Sequence, residues 1–211
     1  MKSDIEPRSA PGFRTIWSNL VWDLRVNRGA SWDSIRAMIL VTEYRLEQLV
    51  YCWTHQTHSK AGSLLWFLVR GGGSIFQSFL CQSNIPGSAR IGKGVRLPHP
   101  QNLMIAGTAD IGEFCTIYHQ VSIVWNGFRK TVPGRPKIGD HVLLGTGAIV
   151  IGDISIGTDV LVGAGVVLAV SIPDHSRVTC GKIQITTRHP TTTAAAPGSA
   201  RHLRDPYSLW R

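Results

Sequence analysis

The sequence predicts a parallel β-helix preceded by an α-helical region, on three observations. From Ile85 onward apolar residues recur at every sixth position, glycine follows the aliphatic residue in many of these hexads, and before Ile85 the apolar residues recur at helical spacing instead. A period of six fits neither an α-helix nor an ordinary strand. It fits short strands that turn a corner once per hexad, each sending an aliphatic side chain inward onto its copies above and below.

Residues 1–82 read as helical. In TIWSNLVWDLRVNRG, Ile16, Leu20 and Leu24 share one helix face, and Trp17 and Val21 widen that stripe. A second helix opens at Ser31-Trp32-Asp33-Ser34, with Ser31 or Asp33 as N-cap, and runs through IRAMILVTEYRLEQLVYCWTHQ. A third, GSLLWFLV, is expected to stop at Gly71-Gly72-Gly73, with SIFQSFLCQ beyond it.

Residues 83–187 carry the hexads. Ile85, Ile91, Leu97, Leu103, Ala109, Cys115 and Val121 form one register, and Ile138, Leu144, Val150, Ile156, Val162 and Leu168 a second. Glycine after the aliphatic residue, as in IGKGVR, IGDHVL, LGTGAI, IGTDVL and VGAGVV, suits a corner that admits only a small residue. The two registers are out of phase, so residues 124–137, VWNGFRKTVPGRPK, are expected to leave the coil as an extruded loop. Residues 188–211, rich in Thr, Ala and Pro, read as a mobile tail.

Composition narrows the function. The chain has 211 residues, 43% hydrophobic and 17% charged, which excludes a disordered or fibrous protein. Lys+Arg 22 against Asp+Glu 13 leaves a net charge of +9, which first suggests an acidic partner. The excess is evenly spread, however: nine basic to six acidic residues in 1–82, nine to six in 83–187, and four to one in 188–211. With no basic domain and no groove-reading element, nucleic acid is not the expected partner. The local concentration, Arg129, Lys130, Arg135 and Lys137, lies in the loop and suits phosphates. Cys52, Cys81, Cys115 and Cys180 match no zinc or disulfide pattern and read as reduced core thiols. The N-terminus lacks an apolar signal segment, and no run reaches 18 apolar residues, so a cytoplasmic protein without a membrane span is expected. Peripheral membrane contact through Trp17, Trp22, Trp53 and Trp66 stays open beside the plainer reading that these rings pack helices or subunits together.

The stretches NIPGSARIGKGVRLPHP, ADIGEFCTIYHQVSI and RPKIGDHVLLGTGAIVIGDISIGTDVLVGAGVVL, with SIPDHSRVTCGK closing, resemble the hexapeptide-repeat acyltransferases and, among them, the serine acetyltransferase branch. Within that branch the nearer likeness is to colanic-acid-type exopolysaccharide O-acetyltransferases. The helical stretches WDLRVNRG and TEYRLEQLV look like a shortened form of the branch's helical domain. The resemblance implies a left-handed β-helix, a homotrimer with a dimer of trimers left open, and acetyl transfer from acetyl-CoA to a hydroxyl. A histidine general base takes the hydroxyl proton and a backbone N–H stabilises the oxyanion. By position in LPHP, His99 matches the base. The residue matching the family's orienting aspartate is Asn84, which accepts from Nδ1–H but supplies no charge; Asp110 and Glu113 are alternatives. His119, one coil above His99, stands as acceptor-binding group or second base, beside a structural role.

The same resemblance assigns acetyl-CoA to Thr146 and Ala164 on successive coils, with Gly145 and Gly163 beside them, to Trp125 and Asn126 near the thioester, and to Lys182 at a phosphate. The glycines also have a purely structural reading. The residues that hold serine in the branch are replaced by Pro98, Gly134 and Arg135. A sugar hydroxyl, on a nucleotide- or lipid-linked saccharide and contacted by Arg135, His119 and Asp110, is therefore the expected acceptor. Serine O-acetylation and an inactive scaffold or membrane-docking protein are the alternatives. A metal-dependent hydratase of the γ-carbonic-anhydrase type shares the fold, but His99, His119 and His141 lack the required H-x-x-x-x-H spacing, so no metal is expected.

Overall fold

A computed structural model of the chain describes residues 11–57, 60–125 and 135–181. Three helices come first: α1 (Phe13–Val26), α2 (Trp32–Thr57) and α3 (Lys60–Cys81). Among the described residues twelve short strands follow: β1 (Arg90–Ile91), β2 (Met104–Ile105), β3 (Asp110–Ile111), β4 (Thr116–Ile117), β5 (Ser122–Val124), β6 (Lys137–Ile138), β7 (Leu143–Leu144), β8 (Ile149–Ile151), β9 (Ser155–Ile156), β10 (Leu161–Val162), β11 (Val167–Leu168) and β12 (Arg177–Val178). They pair in parallel as three sheets, β1-β3-β6-β9, β4-β7-β10-β12 and β2-β5-β8-β11, the three sides of a left-handed β-helix.

Each hexad sends two side chains inward, two residues apart. Val95 and Leu97, Ala109 and Ile111, Cys115 and Ile117, and Val121 and Ile123 are all buried. Coil length is not constant. Leu143 stands beside Leu161, a turn of 18 residues, whereas Arg90 stands beside Asp110, a turn of 20. The two extra residues lie between Arg96, which pairs with Thr116, and Met104, which pairs with Ser122. Across them the six-residue count slips from one inward position to the other, so Leu103 is buried but Ile91 pairs with Ile111 rather than with Ala109. The turn from Asp110 to Lys137 takes 27 residues, nine more than a regular coil. The excess falls between β5 and β6, where residues 126–134 lie outside the described ones. Residues 182–211, with the expected tail, do so too.

The first coil has a free strand edge, which an exposed sheet would offer to any passing strand. Here each side of the prism is closed by side chains of one helix. From α2, the Tyr44 hydroxyl donates to Ala89 O (2.9 Å) and the Arg45 guanidinium to Ile91 O (2.8 Å) and Gly92 O (2.7 Å). From α1, the buried Asp23 carboxylate accepts from Gly94 N (2.7 Å) and Val95 N (3.0 Å). Just past α1, Asn27 donates to Val95 O (2.7 Å) and accepts from Leu97 N (2.8 Å). From α3, Gln77 accepts from Ile85 N (2.7 Å) and donates to Ile85 O (3.1 Å). This docking corrects the expected stripe of α1: Ile16, Asn19 and Asp23 are the buried residues, while Trp17 is exposed, because the inward face meets backbone polar groups rather than oil.

Two further expectations change. α3 runs unbroken through Gly71-Gly72-Gly73. Glycine at 73 leaves room for the Glu43 carboxylate of α2, which a Cβ at 2.0 Å would push aside, at the expense of glycine's poor helix propensity of about 1 kcal/mol. In addition, the stretch Gly62–Cys81 is long and apolar enough to cross a membrane by length and composition, with mean hydropathy 1.3 and 17% of its window buried. Glycine, serine and glutamine interrupt the apolar run, and Arg70 is its single charged residue. Leu64, Phe67, Leu68, Ile75 and Phe79 are exposed along it.

Candidate active site

The stretch between Arg96 and Met104 that holds the two extra residues includes Pro98-His99-Pro100, so His99 stands on a bulge off the corner between the β4 and β2 sides. Its Nδ1 lies 2.7 Å from Asp33 Oδ2, in the first turn of α2. A carboxylate only accepts, so Nδ1 carries the proton and Nε2 is left with its lone pair, the arrangement of a general base. The other oxygen, Asp33 Oδ1, accepts from Gln101 Nε2 (3.3 Å) and lies 3.8 Å from Arg36. Asp33 is free for this because Ser31 caps α2, its hydroxyl accepting from Ser34 N at 3.1 Å.

Asn84 therefore does not hold His99. Its side-chain oxygen accepts from Arg70 of α3 at 2.6 Å, and its amide faces Met104 Sδ at 3.9 Å. Asp110 and Glu113 are also placed elsewhere. Asp110 is buried on the β1-β3-β6 side, and Glu113 pairs with Lys93 at 3.1 Å. In the sequence Asp33 reads only as a candidate cap of α2, which hides this role.

His119 is brought to His99 as expected: the rings are 5.7 Å apart at 83°, with Tyr118 at 6.5 Å from His99. Its Nδ1 is buried without a hydrogen-bond partner among the described residues. His141 stands at another corner, stacked on Phe114 at 5.5 Å.

Strand pairing carries the His119 corner onward. Ile117 pairs with Leu144, Leu144 with Val162, and Val162 with Val178, so Thr146, Ala164 and Cys180 follow His119 in line. Thr146 and Ala164 are small, and a Cβ on neighbouring Gly147 would meet open space, which fits a track for an extended pantetheine arm. Gly145 and Gly163 have a structural cause: a Cβ would approach Ala164 N to 2.7 Å and Val178 O to 3.2 Å. Cys180 departs from the expected core thiol, being exposed with Sγ donating to Ala164 O at 3.3 Å, while burial pushes the Cys81 thiol up to about 11. Trp125 is exposed at the edge of the loop. Asn126 and Lys182 lie outside the described residues. Arg135 is not beside His99 within the chain; it lines a cleft of about 160 Å³ with Thr108 and Asp110 on the β1-β3-β6 side.

A family model, bacterial transferase hexapeptide (six repeats), matches residues 135–169. Serine acetyltransferase of Helicobacter pylori is 31% identical over 140 residues, 66% of this chain and 79% of that protein. Serine acetyltransferase 4 of Arabidopsis thaliana is 40% identical over 91 residues, 43% of this chain and 25% of that protein, so the chain spans a quarter of that relative's length. Among solved structures, the Neisseria gonorrhoeae serine acetyltransferase aligns with a TM-score of 0.66 at 23% identity, covering 86% of this chain and 70% of that one, a likeness of fold. The soybean serine acetyltransferase apoenzyme aligns with a TM-score of 0.63 at 26% identity, covering 78% and 66%. These relatives are serine acetyltransferases, so the expected nearer likeness to colanic-acid-type enzymes is not the one the comparisons return. The chain belongs to the hexapeptide-repeat acyltransferases, and serine acetyltransferases are among its relatives there.

Proposed function

We propose that the protein is an acetyl-CoA-dependent O-acetyltransferase with His99 as general base. The observation that carries this reading is a histidine whose Nδ1 is held by a carboxylate and whose Nε2 has no hydrogen-bond partner among the described residues, at the head of a corner continued by Thr146 and Ala164. His99 Nε2 takes the proton from the acceptor hydroxyl as its oxygen attacks the thioester carbonyl. The carbon–sulfur bond then breaks, and CoA leaves as the thiol after receiving a proton. Thr146 and Ala164 would lie along the pantetheine arm, which an extended corner of small residues admits.

The names of the relatives support serine as acceptor, and this is the reading to test first. A second reading, a sugar hydroxyl, is favoured by Pro98, which puts no acidic group before the base, and by Gly134-Arg135, which departs from the branch's serine-binding pair. The test is release of CoA from acetyl-CoA with L-serine and with a panel of sugar nucleotides. Turnover with L-serine favours the first reading, and turnover with sugars alone favours the second. His99→Ala should lower turnover by about 10²- to 10⁴-fold with the oligomer intact. Retained turnover in that variant, or no binding of CoA at millimolar concentration, refutes the mechanism. A homotrimer belongs to the same proposal and is read by light scattering.

A further inference from the structure

We propose that Asp33 is the positioning residue of the catalytic base, so that the helical region supplies half of the machinery that the β-helix alone lacks. This rests on the acetyltransferase reading and adds to it. The position that resembles the family's orienting carboxylate holds Asn84, and Asn84 is already engaged: Arg70 Nη2 donates to its oxygen at 2.6 Å. The only carboxylate oxygen that reaches His99 among the described residues is Asp33 Oδ2, at 2.7 Å and 66 positions away in sequence.

The surroundings hold that carboxylate in place. Gln101, two residues beyond His99 on the same bulge, donates to Asp33 Oδ1, so carboxylate, imidazole and amide close a ring across the helix–coil junction. Arg36, one turn further along α2, leans on the same oxygen. Ser31 has taken over the cap, leaving both Asp33 oxygens for this junction. α2 is itself immobilised on the first coil by Tyr44, Arg45 and Gln48, all nearly fully buried. Asp33 is therefore presented by an element whose position is fixed by contacts elsewhere, as an orienting group must be. Its first-turn location also places a negative charge where the helix dipole favours it. A consequence is that His99 is oriented only while α2 is docked.

Asp33→Asn tests this at nearly constant shape. The new amide can present an N–H to Nδ1, which drives the proton to Nε2 and removes the lone pair that base catalysis needs. The expected result is a fall in kcat of about 10²-fold or more with the KM for acetyl-CoA unchanged, and partial recovery in Asp33→Glu. Nitrogen-15 NMR of the imidazole should find His99 protonated at Nδ1 in the parent and at Nε2 in Asp33→Asn, and thermal unfolding should be the same in both. The tautomer readout does not need turnover. A parent without acetyl transfer but with the tautomer change would refute the enzyme reading and leave the Asp33 pairing standing. The proposal is overturned if Asp33→Asn keeps both kcat and tautomer. It is equally overturned if the substitution raises only the acceptor KM, which would make Asp33 a binding group for an acceptor ammonium.

Discussion

Replacing Asp23 by alanine should be among the most damaging single changes in the helical region. The Asp23 side chain is fully buried and its carboxylate accepts three hydrogen bonds, from Arg45 Nε (2.8 Å), Gly94 N (2.7 Å) and Val95 N (3.0 Å). Its loss leaves Arg45, 1% exposed, with a buried charge and no counter-ion, a defect that costs about 3–5 kcal/mol. That is about a fifth or more of a typical domain stability of about 5–15 kcal/mol. For a chain of this size it corresponds to a drop in Tm of about 6–20 °C. Burial pushes the Asp23 carboxyl up from its ordinary value despite Arg45, so the pair as a whole is not a stabiliser relative to apolar packing. Asp23→Leu combined with Arg45→Met, which leaves no unpaired buried charge, should therefore regain part of the loss. The remainder, about 1–3 kcal/mol for each buried group left unpaired, belongs to Gly94 N–H and Val95 N–H without Asp23 and to the Ile91 and Gly92 carbonyls without Arg45. Urea unfolding at fixed protein concentration compares the parent with both variants. A loss below about 1 kcal/mol in Asp23→Ala, or a double variant no better than the single one, would refute the assignment of the helices as the cap of the first coil.

Gly112→Ala should destabilise strongly, since a Cβ there would stand 2.2 Å from Gly139 O and 2.4 Å from Gly139 C of the next coil, whereas Gly71→Ala, with nothing within 4 Å, should stabilise α3 by about 1 kcal/mol; thermal melts read both. Ile117→Ala, at a fully buried position, should cost about 2–5 kcal/mol by urea unfolding. The Glu43 carboxyl is pushed above its ordinary value by burial and by the nearby Glu47 charge, with a hydrogen bond from Gln77 opposing. A raised carboxyl loses stability as pH rises through its titration. Glu43→Gln should therefore melt higher than the parent at about pH 8, with the advantage shrinking towards about pH 5; a constant difference between those pH values contradicts the assignment.

How far the structure was legible followed from the range of the forces involved. The hexads are local and repeat, so the coil, its inward residues and the break in register between β5 and β6 could be read from spacing alone. Their exact pairing could not, because two inward positions per hexad let the count at Leu97 and Leu103 pass over a two-residue bulge without breaking. The helices were legible as helices. Their buried faces were misread where Asp23 and Asn27 dock polar side chains onto bare strand edges, since apolar periodicity carries no signal for a surface that buries backbone hydrogen bonds. The glycine triplet misled in the same way, because what stands beside Gly73 is a carboxylate on another helix.

The site divides along the same line. His99 and His119 could be brought together from their spacing, because one turn of a regular scaffold separates them. The partner of His99 could not, because a helix-borne side chain meets a coil bulge at a distance in sequence that no period governs. One local signal did point to it. Ser31-Trp32-Asp33-Ser34 offers two capping side chains for a single helix start, and only one can be used as the cap. A surplus aspartate in the first turn of a helix, where its charge is favoured but its cap is already made, is a carboxylate available to another part of the fold. In this chain the histidine that lacks an acidic residue fifteen positions earlier is the group that needs one, and the 2.7 Å contact joins the two.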